Sequence, residues 1–155
     1  MHGARDTLGA STAIGAQPLE IVTPIYEDRD ASSRLFLELA RVLRPLPYIV
    51  AVDDGSVHQP ISQGSLESAN LTGEVLRRKR NVGHQRAIAI GLSQVAEMFP
   101  AVPWIIAMDS DGEDLPSTIP ILIDTLTGSE ADLVVAERRN RVETARFKAM
   151  YWAYK

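Results

Sequence analysis

The sequence predicts an α/β domain in which a mostly parallel sheet carries helices on both faces. Short apolar runs alternate along the chain with segments of helical periodicity, which is the pattern of successive βαβ units. The apolar runs are rich in β-branched residues and nearly continuous in hydrophobicity, as strands buried on both faces are. Each run ends in a polar cluster, and ligands of parallel sheets bind at that carboxyl edge. The sequence therefore predicts both a fold and the place of its site.

The elements are predicted from the period of the apolar residues and from turn signals. The predicted strands cover 19–26, 48–56, 73–81, 104–109 and 131–137. The predicted helices cover 31–43, 84–99, 117–127 and 142–155. Asp30 or Ser32 is expected to cap the first helix. In the third helix Pro120 is tolerable only in the first turn, and Gly128 lies just past the end.

Composition bounds the class of protein. The 155 residues suit one domain, expected at 18–155 after a flexible leader at 1–17. The net charge of −4 gives no basic field for nucleic acid, so no nucleic-acid partner is expected. The absence of cysteine excludes disulfides and thiolate metal sites and fits the cytoplasm. No segment approaches the roughly 20 continuous apolar residues of a membrane span.

An acidic cluster follows the fourth predicted strand in "WIIAMDSDGEDLP" (104–116). Asp109 and Asp111 lie two residues apart at the strand end, where both can reach a cation held off the sheet edge. Oxygen ligands with no His or Cys in the cluster favour Mg²⁺ or Mn²⁺ over Zn²⁺. The alternative is an Asp-rich turn that caps the following helix.

Two further clusters follow the first and second strands. "VDDGS" (52–56) supplies a carboxylate for a base or a ribose, or it is a tight turn with side-chain hydrogen bonds. "PIYED" (24–28) ends a strand with Tyr26, whose ring either stacks on a planar ligand or lies on the surface. Neither motif alone decides between these interpretations.

Basic and glycine-rich segments complete the predicted edge. "RNVGHQRAIAIG" (80–91) places a glycine before a helix, where backbone N–H groups favour anions, and His84 is interpreted as a capping or packing residue rather than a base. "ERRNR" (137–141) is either a phosphate site or a solvated basic turn. Carboxylates for a cation and arginines for phosphate together indicate a metal–nucleotide diphosphate, and a sugar nucleotide fits because no loop for a triphosphate is visible.

These motifs, in this order and spacing over residues 19–150, resemble the family 2 glycosyltransferases with a GT-A fold. Within that family the chain is most similar to the polyprenyl-phosphate glycosyltransferases, the group of dolichol-phosphate mannosyltransferase and bactoprenol glucosyltransferase. The resemblance implies an inverting, metal-dependent transfer of a sugar from a UDP-glucose or GDP-mannose type of donor to polyprenyl phosphate. A saccharide acceptor, or a truncated chain that binds a nucleotide sugar without catalysis, are the alternatives.

The resemblance also implies roles for individual residues. The nucleotide pocket would be lined by Pro24, Tyr26, Glu27, Asp28, Val52, Asp53 and Asp54. The ribose and diphosphate would be met by Asp109, Ser110 and Arg138, and the cation held by Asp109, Asp111 and Glu113. Asp111, Asp114 and Arg138 would be the catalytic residues, with Asp114 acting as a base if the acceptor is a hydroxyl. Where this chain has Glu27-Asp28 the family usually has Asn-Glu, so two acids compete for the nucleoside contact.

Members of the family continue further, so the chain is expected to be the donor half of a longer enzyme. The helix predicted over 142–155 carries an apolar stripe that is flanked by basic residues. The stripe consists of Phe147, Met150, Tyr151 and Tyr154. This stripe either lies on a membrane surface or packs on sequence beyond Lys155. The expected location is therefore the cytoplasm, and it is the inner face of the membrane if the stripe lies on a membrane surface.

Overall fold

The computed structural model describes residues 19–137, which form a four-stranded parallel sheet flanked by helices. The strands are β1 (Leu19–Ile25), β2 (Tyr48–Asp53), β3 (Thr72–Arg77) and β4 (Trp104–Ala107). The helices are α1 (Arg29–Val42), α2 (Gln63–Glu67), α3 (His84–Met98) and α4 (Ile119–Thr127), with a 3₁₀ turn at Pro116–Thr118 before α4. The predicted class, a mostly parallel α/β sheet, is confirmed.

Helices cover both faces of the sheet because alternate residues of β1 and β2 are apolar on both sides. Ile21 and Ile49 belong to the larger core cluster, which contains the buried faces of α1, α2 and α4. Val22, Val50 and Val52 belong to the second cluster, which is formed with α3. Since successive side chains of a strand point to opposite faces, a continuous apolar run is what a doubly covered strand requires.

Helix α3 approaches the sheet closely at Gly91, which is buried against β1 and β2. A Cβ atom on Gly91 would lie 2.3 Å from Cγ1 of Val22 and 3.2 Å from Cγ2 of Val52. The missing side chain therefore sets the distance between helix and sheet. Ala87 and Val95, one turn to either side, complete the buried stripe of α3.

The strand order β3-β2-β1-β4 creates a reversal in the sheet. The chain proceeds from β1 to β2 to β3 in one direction and then crosses to place β4 on the other side of β1. Open α/β sheets bind ligands outside the carboxyl ends of the strands at such a reversal, because the loops on either side diverge and leave a crevice. This point lies between the ends of β1 and β4.

The structure corrects several element boundaries. The first helix begins at Arg29 and not at 31, because Asp28 is its N-cap and accepts a hydrogen bond at 3.1 Å from the amide of Ala31. The predictions of Asp30 or Ser32 as the cap are therefore wrong. Strands β2, β3 and β4 end two to four residues earlier than predicted, since the polar residues after them turn into loops. The short helix α2 was not predicted.

The fifth predicted strand, at 131–137, is not a strand. Its apolar residues Leu133 and Val135 are 76% and 75% exposed, so no sheet face covers them within the described part of the chain. Apolar alternation favours extended backbone, but a strand also needs a neighbour to pair with. The predicted leader at 1–17 and the predicted helix at 142–155 lie outside residues 19–137. Among the helices of that range, none has the length and apolar character needed to cross a bilayer.

Candidate functional site

The carboxyl edge of the sheet is formed by four loops that hold one another through specific hydrogen bonds. At the reversal, the amide of Met108 donates to the carbonyl of Val22 at 3.1 Å. The hydroxyl of Ser110 then donates to the carbonyl of Pro24 at 3.3 Å. Proline has no N–H to donate, and the ladder between β1 and β4 has already ended at Val22. A buried serine therefore replaces the ladder and fixes the acidic loop to the end of β1.

Glu27 organises the loop after β2. It adopts a left-handed backbone conformation with φ of 51°, which turns its carboxylate toward that loop. The carboxylate accepts from the amides of Val57, His58 and Gln59 at 2.6, 3.0 and 2.8 Å. The amide of Glu27 donates to Oγ of Ser56 at 2.9 Å. The Val57 amide is the main cause of a lowered pKa of Glu27, with the Gln59 and His58 amides acting in the same direction.

Asp53 performs a similar task from within the core. Its side chain is fully buried, and Oδ1 accepts from the amide of Ser56 at 2.9 Å. Oδ2 accepts from the amide of Ile61 at 3.2 Å. The loop between β2 and α2 is thus folded around one carboxylate. Buried carboxylates are stable only when they are hydrogen-bonded in this way.

Asp54 joins the loop after β2 to the start of α3. The side chain is 2% exposed, Oδ1 accepts from the amide of Val82 at 2.8 Å, and Oδ2 accepts from the amide of Gly83 at 2.9 Å. The segment before α3 was predicted to favour an anion, and in the structure two of its amides bind the carboxylate of Asp54. Gly83 has φ of 94°, a conformation that glycine adopts without strain.

The acidic loop after β4 is folded on itself. Oδ2 of Asp114 accepts from the amide of Asp109 at 3.1 Å, and Oδ1 of Asp111 accepts from the amide of Glu113 at 2.8 Å. Between them Gly112 has φ of 84°, which permits the tight turn. Asp111 and Glu113 are exposed and Asp109 and Asp114 are partly buried. The loop therefore presents carboxylates to the crevice from a backbone that is held in place.

His84 lies in the candidate site, although the sequence interpretation did not include it there. It is the first residue of α3, and its Nε2 lies 3.3 Å from Oδ1 of Asp109. Capping or packing was predicted for it, whereas its ring is 55% exposed and faces the acidic loop. The available signal was its position: it follows the third strand, so it shares the edge at which the acidic cluster lies.

The donor chemistry of the acidic loop fits a hard divalent cation, because every side chain offered is a carboxylate. Across residues 19–137, no three His, Asp or Glu side chains stand close enough together to surround one ion. Mg²⁺ commonly takes only one or two carboxylates from a protein and completes its shell with water and substrate phosphates. The residues present thus fit a cation that arrives with a diphosphate better than a permanently held one.

The remaining predicted residues are placed as follows. Pro24 and Val52 are buried in neighbouring strands, where they are register partners. Tyr26 follows the last residue of β1 and is 54% exposed. Arg138 lies outside the described residues. The structure brings the other predicted residues to one edge, and their contacts with a nucleotide stay predictions.

Comparison with known proteins settles the family. The model of glycosyl transferase family 2 matches residues 20–154, most of the chain. The chain belongs to glycosyltransferase family 2. The fold agrees with this assignment: the sheet and its helices superpose on a structure of S. aureus TarS (residues 1–349) with a TM-score of 0.57 at 20% identity, over 72% of this chain and 33% of that chain. The predicted GT-A fold is thereby confirmed.

Three curated relatives are similar in sequence. An uncharacterized glycosyltransferase of Synechocystis is 31% identical over 127 residues, 79% of this chain and 38% of the relative. A dodecaprenyl-phosphate galacturonate synthase of Rhizobium johnstonii is 25% identical, over 86% of this chain and 39% of the relative. A dolichol-phosphate mannosyltransferase of Pyrococcus furiosus is 26% identical, over 77% of this chain and 33% of the relative. The chain thus spans well under half the length of these family members.

Proposed function

We propose that this family 2 glycosyltransferase chain binds a nucleotide-sugar donor between the ends of β1 and β4. It is proposed to be the donor-binding part of an enzyme that transfers the sugar of this donor to polyprenyl phosphate. The observation that carries the proposal is the fixation of the acidic loop to β1, through Ser110 and Pro24, at the reversal of strand order. A crevice at that point is where open α/β sheets bind nucleotides. Fixed carboxylates at its wall are what a metal–diphosphate complex requires.

The two sides of the crevice suit the two ends of a nucleotide. On the side of β1 and β2, the half-exposed ring of Tyr26 offers a stacking surface for a base. Asp53 and Asp54 shape this side by fixing the neighbouring loops, since each buried carboxylate accepts hydrogen bonds from two backbone amides. On the side of β4 the carboxylates would repel a bare diphosphate, so a cation belongs between them.

Mg²⁺ or Mn²⁺ would be held by Asp109 and Asp111, with Glu113 beside them. The cation, when bound, offsets charge on the departing nucleoside diphosphate. His84 orients Asp109 from the start of α3, since its Nε2 lies 3.3 Å from that carboxylate. Arg138 is proposed as the arginine that contacts the diphosphate, because guanidinium groups bind phosphate oxygens in pairs.

The proposal of a polyprenyl phosphate acceptor rests on two of the relatives. One is named a dodecaprenyl-phosphate galacturonate synthase and the other a dolichol-phosphate mannosyltransferase. A phosphate oxygen of the acceptor would attack the anomeric carbon from the face opposite the donor diphosphate. The new C–O bond forms as the bond to the diphosphate breaks, and the electron pair leaves on the diphosphate. The acceptor is already an anion, so this step needs no base. Asp114, near the amide of Asp109, is the base proposed for a hydroxyl acceptor.

Calorimetric titration of the full chain with UDP and with GDP tests the donor site. One of the two is expected to bind in the presence of Mn²⁺ and to lose that binding when the metal is chelated. Asp111→Asn is expected to weaken binding at least about tenfold, which corresponds to about 1.4 kcal/mol. Asp124→Asn, at an exposed position of α4, is the matched control and should bind as the unaltered chain does.

The outcomes separate the parts of the proposal. A folded chain that binds neither nucleotide in the presence of Mn²⁺ contradicts the donor site. Binding that is unaffected by both chelation and Asp111→Asn contradicts the metal assignment while leaving the nucleotide site in place.

A further inference from the structure

Five basic residues lie at the carboxyl end of β3 and the start of α3, in a group we name the basic rim. Its members are all exposed: Arg77, Arg78, Lys79, Arg80 and Arg86. The first four follow one another at the end of β3, and the fifth lies in the first turn of α3. The protein as a whole has a formal net charge of −4, so this positive group is a local feature against the overall charge.

The basic rim is not neutralised by the part of the chain that the structure describes. Ion pairs within residues 19–137 join Arg41 to Glu38 and His84 to Asp109, and none of them includes a residue of the rim. The guanidinium groups of Arg77 and Arg86 make long hydrogen bonds, each at 3.4 Å, to the carbonyls of Ser56 and Val82. Carbonyl contacts leave the positive charges available to an external anion.

The backbone beneath the basic rim is fixed at three places. The amide of Arg78 donates to the carbonyl of Asp53 at 2.8 Å. The backbone at Arg80 lies against Gly55, where a Cβ atom would stand 2.6 Å from the Arg80 carbonyl carbon. The amides of Val82 and Gly83 donate to the buried carboxylate of Asp54. The positive side chains are therefore presented from a backbone that is rigidly joined to the candidate donor site.

A groove of mixed lining adjoins the basic rim. It has a volume of about 560 Å³ and is lined by Arg78, Val82, Arg86, Ala89 and Ile90, and by the polar residues Ser93, Gln94 and Glu97 further along α3. The basic end is the one nearest the carboxyl edge of the sheet, because Arg78 follows β3 and Arg86 begins α3. The two arginines give this end of the groove a positive charge, which matches a phosphate group.

We propose that the basic rim docks the protein on an anionic lipid bilayer, with the candidate donor site facing the membrane. A row of cations spread over an exposed edge suits a surface of many phosphates better than it suits one small ligand. This inference deepens the proposed function and takes its meaning from it, because a polyprenyl phosphate acceptor lies in a membrane. The orientation would bring the crevice between β1 and β4 close to the lipid headgroups.

Vesicle co-sedimentation of the full chain tests the docking surface without donor, metal or acceptor. The chain is expected to bind vesicles of phosphatidylcholine with phosphatidylglycerol, to bind pure phosphatidylcholine much less, and to dissociate as salt is raised. Each basic residue at an anionic surface contributes roughly fivefold to partitioning, so Lys79→Gln/Arg80→Gln/Arg86→Gln should lower it by about a hundredfold. The matched control is Arg34→Gln/Arg41→Gln/Arg44→Gln, which removes the same charge from in and just after α1.

Several results would overturn the docking surface. Equal losses in the rim variant and the α1 variant would show a general charge effect. Full binding by the rim variant would move membrane attachment to another segment, such as 142–155. Inorganic phosphate that releases the chain more strongly than chloride of equal ionic strength would indicate a site for one free anion, and binding of RNA but not of vesicles would name another partner. Nucleotide binding in solution is independent of all these outcomes, so the two proposals fail separately.

Discussion

Asp54→Ala is expected to lower the free energy of unfolding by about 2–4 kcal/mol, because two half-buried backbone donors would lose their buried partner. The carboxylate is 2% exposed and holds the amides of Val82 and Gly83 at 2.8 and 2.9 Å. No neighbouring group replaces it, since an alanine methyl accepts no hydrogen bond. The segment before α3 should therefore become loose together with the basic rim.

Urea denaturation followed by circular dichroism measures this loss. Asp54→Asn retains one acceptor oxygen and should lose less stability than Asp54→Ala. Asp124→Ala, at an exposed position of α4, is the control and should change the free energy of unfolding by less than about 0.5 kcal/mol. If Asp54→Ala were as stable as the control, the carboxylate would not be what holds the two loops together.

Gly91→Val is expected to destabilise the protein by about 3 kcal/mol, because no space exists for its side chain. The first added atom would stand 2.3 Å from Cγ1 of Val22, so helix α3 or strand β1 would have to shift. Overpacking of this kind costs about 1–3 kcal/mol, and the better helix propensity of valine relative to glycine offsets only a few tenths of that cost. Since α3 carries His84 at its start, a displaced helix also moves a side chain of the candidate site.

Thermal unfolding compares this variant with Ala89→Val, which places the same side chain on an exposed position of α3. The control should unfold close to the unaltered chain. Combining Gly91→Val with Val22→Ala should recover part of the loss, giving a favourable coupling energy in a double-mutant cycle. Strictly additive effects would mean that the clash between position 91 and Val22 does not limit stability.

The order and type of the main elements could be predicted because each depends on a local pattern. β1 and β2 are continuous apolar runs since both of their faces are covered, by α1 on one side and by α3 on the other. Pro120 and Gly128 lie at the beginning and just past the end of α4, as their backbone preferences require. The meeting of the candidate site residues at one edge could also be predicted, since the carboxyl ends of parallel strands lie at the same edge of a sheet.

The hydrogen-bond partner of each carboxylate in the candidate site could not be predicted, because it depends on which backbone groups lie near that carboxylate in the folded chain. The sequence left Asp53 and Asp54 open between ligand binding and a turn with side-chain hydrogen bonds, and the resemblance implied a nucleotide contact for Glu27. In the structure their carboxylates accept from amides up to 32 residues away. The pairing of His84 with Asp109 likewise joins two loops that only the folded sheet brings together. The prediction of a strand at 131–137 was wrong for a related reason: strand formation depends on a neighbouring strand to pair with.

The acidic loop is the part of the site that the structure sharpens most. The sequence showed several carboxylates after an apolar run, with an expected cation and the arginines of 137–141 as their positive counterparts. In the structure the carboxylate of Asp114 accepts a hydrogen bond from the amide of Asp109. Asp111 is exposed, and its carboxylate accepts a hydrogen bond from the amide of Glu113. Ser110 fastens this loop to β1. The loop is therefore built to hold its shape before any cation arrives.

Broadening of backbone amide signals by Mn²⁺ in the presence of UDP or GDP tests the central claim most directly. The experiment uses the ¹⁵N-labelled full chain, with Mg²⁺ in place of Mn²⁺ as the diamagnetic reference. The account predicts that broadening centres on residues 109–114 and extends to the end of β1 at 24–28. Broadening centred elsewhere, such as on the groove beside Arg78 and Arg86, or broadening that does not depend on the nucleotide, would contradict it.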